Sequence, residues 1–223
     1  MQATTTAKQQ QEIQTALSRF SHEIRNPLAL ISSELQLLVS SHPEIADDTV
    51  WDDIMDNVEY MKELLCQLSD YSNAGKMVLS PTELRPFLCS VLSSYRPTLE
   101  YLGITLEAHL PLQLPTLNLD QVKLRQALIN LLRNAQESIS HPQGIIQVEA
   151  ELLSEGVCIH IRDNGCGIPA EKQEEIFSPF ITFKAGGTGL GLPITRQIIE
   201  SHGGQMKLFS VPDQGTEVRI FLG

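Results

Sequence analysis

The chain has 223 residues, 42% of them hydrophobic, which is room for one large soluble domain or two smaller ones. A formal net charge of -11, from 16 basic against 27 acidic residues, argues against a nucleic-acid binder, and the single tryptophan, Trp51, leaves little for base stacking. The four cysteines, Cys66, Cys89, Cys158 and Cys166, have neither CxxC nor metal-site spacing and read as reduced thiols in a cytoplasmic protein.

The N-terminal residues, up to Gln11, lack the apolar centre of a signal peptide and read as the cut end of a longer helix. The chain is then expected to be the cytosolic part of a larger, membrane-anchored or soluble sensor. No stretch approaches the roughly 18 continuous apolar residues of a membrane span, so no direct membrane contact is expected within it. Apolar residues recur at Ile13, Leu17, Phe20, Ile24, Leu28, Ile31, Leu35 and Leu38, a sustained helical stripe. A turn is predicted at Ser40-Ser41-His42-Pro43. A second stripe follows through Val50, Ile54, Val58, Met61, Leu65, Leu68 and Tyr71. Two such helices form a hairpin with a thin core, and two hairpins form a four-helix bundle, so a homodimer is expected.

The helical signal ends near Asn73-Ala74-Gly75, and a link through Ser80-Pro81 leads to different material. A helix over about 83–101 is followed by a strand at 104–108, a helix over 119–140 and a strand pair at 145–153 and 157–162. A helix over 189–201 stops at Gly203-Gly204, and strands at 205–210 and 215–222 close the chain. The order predicts an α+β protein: a helical hairpin over residues 1–76, then an α/β sandwich with one helical layer over 80–223.

Within the first helix stands Phe20-Ser21-His22-Glu23-Ile24-Arg25-Asn26-Pro27. His22 lies two positions from both Phe20 and Ile24, so at about 100° per residue it points away from the stripe. Glu23 beside it can take the ring proton and sharpen the other nitrogen as a nucleophile. Pro27 removes an amide from the helix, and a bend is expected. Taken alone, His22 also reads as a solvated surface residue.

Three segments of the second part suit a nucleotide, although no Walker-type glycine loop is present. Gly187-Thr188-Gly189-Leu190-Gly191-Leu192 opens a helix, where backbone amides can meet phosphates; a mobile loop is the bland alternative. Asp163-Asn164-Gly165-Cys166-Gly167 follows a strand, so that Asp163 can accept the exocyclic amine of adenine, though Asp-Asn-Gly is also a common turn. Asn130 and Asn134 lie one turn apart on a helix, where amide oxygens can ligate Mg²⁺. Both are costly there unless satisfied.

The His-Glu-x-x-Asn-Pro box resembles the phosphoacceptor box of sensor histidine kinases. The three later segments, with Ile176-Phe177-Ser178-Pro179-Phe180 and Gly215-Thr216-Glu217-Val218, resemble the Bergerat-type ATP-binding domain shared with Hsp90, gyrase B and MutL. The resemblance covers nearly the whole chain. It implies an ATP-dependent kinase that phosphorylates its own His22 and passes the group to an aspartate on the receiver domain of a response regulator. By resemblance Glu23 is the general base and Asn26 orients water for the reverse, phosphatase reaction. Asn134 would hold Mg²⁺ with Asn130 near the phosphates, Asp163 would read adenine, and Gly165 and Gly167 would line the base. Gly187, Gly189 and Gly191, with Thr188 and Leu190 between them, would shape the lid hinge and phosphate contacts, and Thr216 would complete the set. Lys184 would meet the terminal phosphates. Many relatives carry a lysine three residues after the metal asparagine; here that residue is Glu137, a departure from the pattern. The lid between Phe180 and Gly187 is also short.

Three further classes compete. An ATP-driven clamp of the Hsp90 or MutL kind carries a glutamate four residues before the metal asparagine to activate water, where this chain has Asn130. A serine kinase of the same fold, or a scaffold without activity, would need no His22 box.

Overall fold

No glycine precedes Gly75, and the first third of the chain is rich in Gln, Glu, Leu and Ala, residues that favour helix. In the computed structural model, α1 spans Gln2–Ser41 and α2 spans Thr49–Asn73, joined by a 3₁₀ segment at Pro43–Asp47. The structure describes the backbone of residues 2–184 and 186–223, and side chains of 17–21, 23–184 and 186–223. Asp48 starts α2 by accepting from the Val50 amide at 2.9 Å. Helix α1 runs on through Pro27 without a break, so the proline does not end it.

The single apolar stripe read from the sequence divides in two. Leu28, Val58 and Leu65 are buried together, with Leu35 packed against them. Ser21 and Ser32 are buried on the same line of α1. Their hydroxyls are satisfied, Ser21 on the Leu17 carbonyl at 2.8 Å and Ser32 by Lys62 of α2 at 2.9 Å. Small residues let the helices approach closely, which apolar periodicity does not reveal. Phe20, Ile24, Ile31 and Leu38 of α1, and Val50, Ile54 and Met61 of α2, instead remain exposed.

The chain divides into two units, Met1–Asn73 and Ala74–Gly223. In the second, β1 (Ser80–Glu83) leads to α3 (Leu84–Tyr101), β2 (Thr105–His109), β3 (Thr116–Leu119) and α4 (Gln121–Ser138). The hairpin β4 (Ile145–Leu153) and β5 (Gly156–Asp163) follows, then α5 (Gly191–Ser201) and the hairpin β6 (Gln205–Val211) and β7 (Gly215–Leu222). Five strands form one sheet in the order β2-β4-β5-β7-β6, antiparallel except for the parallel pair β2–β4. Strands β1 and β3 pair separately as a short antiparallel ribbon. Sequence patterning did not reveal that ribbon. Each strand has four residues, too few to show an alternation, and Pro81 in β1 speaks against a central strand.

Alternation along the long strands sorts the sheet faces. Ile146, Val148, Ala150, Val157, Ile159, Ile161, Val218, Ile220 and Leu222 are buried, and α3, α4 and α5 supply Leu88, Leu128, Leu132 and Ile198 to the same core. The opposite face carries Glu149, Glu151, His160, Arg162, Glu217 and Arg219. The end of α5 is tied to the start of α4. His202 donates from Nδ1 to the Ile198 carbonyl at 2.8 Å, and its Nε2 accepts from the Asp120 amide at 2.9 Å. Asp120 caps α4 through the amides of Val122 and Lys123 and also accepts from Val78.

Candidate active site

On the hairpin, Glu23, Asn26 and Pro27 are exposed on α1. Glu23 lies 3.6 Å from Arg19 Nε, one turn earlier, in a solvent-screened pair. Helix α1 includes His22, but its side chain lies outside the described residues, and so does the expectation of where it points.

The second unit brings most of the remaining predicted residues into one region, where α4, the end of β5, the start of β7 and the loop before α5 meet. Asp163 ends β5. Its Oδ1 accepts three hydrogen bonds: from Ser138 Oγ at 2.9 Å, the Gly165 amide at 2.9 Å and the Thr216 amide at 3.2 Å. Among the described residues no hydrogen bond reaches Oδ2. Burial pushes the Asp163 carboxyl above the usual aspartate range, and those three donors recover only part of the shift. Asn164 stitches the start of β4 to this loop, accepting from the Ile145 amide at 2.8 Å and donating to the Gln143 carbonyl at 2.9 Å.

Gly165 and Gly167 follow from chain-to-chain approach. A Cβ at Gly165 would stand 2.1 Å from Ser138 Oγ, and one at Gly167 would stand 2.1 Å from the Val211 carbonyl. Their identity lets this loop close on α4 on one side and on the β6–β7 hairpin on the other. Thr216 adds a side-chain contact, 2.9 Å from Ser210 Oγ.

On α4, the two asparagines are satisfied in different ways. Asn130 Nδ2 donates to Thr195 Oγ1 of α5 at 2.8 Å, and Thr195 is fully buried. A Cβ on Gly191 would lie 2.7 Å from Asn130 Oδ1, so the first turn of α5 sits directly on this amide. Asn134 Oδ1 accepts from Lys184 Nζ at 3.3 Å. The same ammonium lies 2.6 Å from Glu137 Oε2.

Lys184 belongs to a short loop that is closed at its base. The Phe180 amide donates to the Gly189 carbonyl at 3.1 Å. A Cβ on Gly189 would lie 2.5 Å from Phe180 C, and Gly189 has φ 68°. The Arg196 guanidinium of α5 stacks 3.7 Å above the Phe177 ring centroid and anchors the segment before the loop. Thr188 Oγ1 accepts from the Leu190 amide at 3.3 Å, and Leu190 is buried ahead of α5. Gly187 sits against Thr182 Oγ1.

Ser138 and Thr195 escaped the sequence reading. Ser138 stands four residues after Asn134, on the same line of α4 as Asn130, and that spacing was available as a signal. Thr195 is the polar residue on the otherwise apolar buried face of α5; only the packing of α5 on α4 gives it a partner.

Two family models match the chain. Residues 12–76 match the His Kinase A (phospho-acceptor) domain, and residues 119–223 match the histidine kinase-, DNA gyrase B- and HSP90-like ATPase domain. The catalytic domain of the histidine kinase ThkA is 30% identical with a TM-score of 0.59, over 66% of this chain and 95% of that one. The chain belongs to the sensor histidine kinases. Among curated kinases, AtoS of Escherichia coli is 30% identical over 91% of this chain and 33% of its own length. Sporulation kinase B of Bacillus subtilis is 32% identical over 91% of this chain and 47% of its own. The kinase core thus spans a third to a half of these relatives. Full-length ShkA, crystallised with AMPPNP, shares the fold with a TM-score of 0.78 at 23% identity, over 92% of this chain and 45% of that one. The second unit of the kinase core is its ATP-binding domain. Among the described residues no helix is long and apolar enough to cross a membrane.

Proposed function

We propose that this kinase core works as a homodimer that transfers the γ-phosphoryl group of ATP to His22 and then to an aspartate on a response regulator receiver domain. A His22 ring nitrogen forms the bond to phosphorus as the bond to the bridging oxygen of ADP breaks, and Glu23 takes the ring proton. Asn26 orients water for removal of phosphate from the regulator. ThkA has itself been crystallised in complex with the response regulator TrrA, which supports that class of partner.

Asp163, with Oδ1 saturated by three donors, keeps Oδ2 for the exocyclic amine of adenine. Among the described residues no three His, Cys, Asp or Glu side chains converge on a metal position, so Mg²⁺ would share its ligands with the triphosphate. Asn134 Oδ1, which already faces a cation, fits that role. Held there, Mg²⁺ would neutralise charge on the triphosphate. Lys184 meets the terminal phosphates, and Asn130 holds the first turn of α5 where its amides can face them.

One observation carries the choice of transfer over hydrolysis. At the position where clamp ATPases of this fold carry a glutamate, the chain has Asn130, and its amide is committed to Thr195 and packed under Gly191. It has no basic group with which to activate water. The test is labelling with γ-radiolabelled ATP. Label that is stable to base, labile to acid and absent from His22→Gln is expected. Acid-stable label, or label retained in His22→Gln, would redirect the assignment to a hydroxyl acceptor.

A further inference from the structure

Glu137 is an acidic side chain of the nucleotide region for which the proposed transfer gives no role. It stands three residues after Asn134 on α4, on the same face. Its carboxylate and the Asn134 amide oxygen share one cation, the Lys184 ammonium, at 2.6 and 3.3 Å. The loop that carries Lys184 is restrained on both sides. Its base is closed by Phe180 and Gly189, which take φ of 67° and 68°. The neighbouring Phe183 ring lies 4.4 Å from the Lys172 ammonium. The Lys184 amide donates to Thr182 Oγ1 at 3.2 Å, and the Gly187 amide donates to the Lys184 carbonyl at 3.1 Å. The loop therefore presents its lysine to α4, and α4 answers with one carboxylate. Both side chains keep water contact, with exposures of 45% and 41%, so the pair is screened and exchangeable.

We infer, on the reading that this pocket takes ATP, that Glu137 is a positioning residue that makes nucleotide entry depend on a divalent cation. Without nucleotide, Glu137 holds Lys184 on the oxygen that would otherwise face the metal. A bare triphosphate must draw Lys184 away and then lie beside an uncompensated carboxylate. Like charges at such separations repel, more strongly near a protein surface than in bulk water. A metal-bound triphosphate brings a replacement cation. Lys184 then passes to the phosphates while Glu137 faces the divalent charge near Asn134.

The test is the affinity of the full chain for ATP, measured by calorimetry with excess Mg²⁺ and again with EDTA, in wild type, Glu137→Gln, Lys184→Met and the double variant. Circular dichroism confirms the fold of each. In Glu137→Gln the affinity for metal-free ATP is expected to rise about two- to fivefold, the scale of one exposed ion pair, while the affinity for Mg-ATP changes less. Lys184→Met is expected to weaken binding in both conditions, and adding Glu137→Gln to it should again favour the metal-free form. A Glu137→Gln change of equal size in both conditions, or no change, overturns the inference while leaving the ATP reading intact. Wild type that binds ATP in neither condition overturns the ATP reading itself.

Discussion

Ser138 is the side chain through which α4 reaches Asp163. Its hydroxyl donates to the Ala135 carbonyl at 2.7 Å or to Asp163 Oδ1 at 2.9 Å, so the end of the helix and the carboxylate share one group. If Asp163 reads adenine as proposed, it must do so ionised, and burial already holds its carboxyl above the usual aspartate range. ATP affinity is therefore expected to fall on acidification through that raised value, at higher pH than an ordinary aspartate would give. Ser138→Ala removes one of the groups that lower the Asp163 value. The acid limb of ATP binding should move further up in pH, while affinity well above it changes little. Titration of nucleotide affinity against pH in both proteins checks this, and an unmoved limb would separate Ser138 from the carboxylate. Asp163 itself was legible as a carboxylate at a strand end. Ser138 carried only the signal of its spacing from Asn130 and Asn134, and that is weak because hydroxyls at helix ends usually bond to their own backbone.

At the scale of the elements, the face of the sheet away from the helices is held by charge. Glu217 on β7 accepts from Arg219 Nε and NH2 at 2.9 Å each, from Arg162 Nε at 2.9 Å, and pairs with His160 Nδ1 at 2.8 Å. The Arg219 bonds lower its carboxyl most; burial opposes them, and His160 and Arg162 add to the lowering, to about 2 from an ordinary 4.5. A depressed value means that the folded state favours the ionised form. The stabilisation is complete above pH 4.5 and is lost as pH falls through the window toward 2. Glu217→Gln should cost about 1–3 kcal/mol in urea unfolding at neutral pH, the scale of a hydrogen bond to a charged group. That deficit should shrink on acidification through the same window. A deficit independent of pH would assign the loss to packing. The strands β5 and β7 were legible from their alternation. That Glu149, His160, Arg162, Glu217 and Arg219 form one network follows from the register His160↔Arg219 and Arg162↔Glu217, which no single strand encodes.

At the scale of the whole molecule, the described residues of the hairpin leave more large apolar side chains exposed than buried. Leu28, Val58 and Leu65 form its core, while Phe20, Ile24, Ile31, Leu38, Val50, Ile54 and Met61 stay exposed. A second hairpin covering those residues is the arrangement that removes them from water. Ile31→Glu, at a residue 47% exposed, should therefore leave the hairpin helical and weaken self-association by about a hundredfold or more, as a charge in an apolar interface does. Sedimentation over a dilution series reads the outcome. An unchanged dimer would place the interface elsewhere.

The sequence by itself determined the two kinds of architecture, the helices of the hairpin, the long strands, and the motifs bearing His22, Asn134 and Asp163. Each of these is written within one element, as a period or a short run. Tertiary structure alone decided that the stripe of α1 divides around Ser21 and Ser32. It also decided that Asn130 spends its amide on Thr195, 65 residues away, and that Lys184 meets Glu137 across 47. Such pairings depend on the angle and register at which separate elements pack. Those are set by the whole core at once, and local patterns carry no record of them.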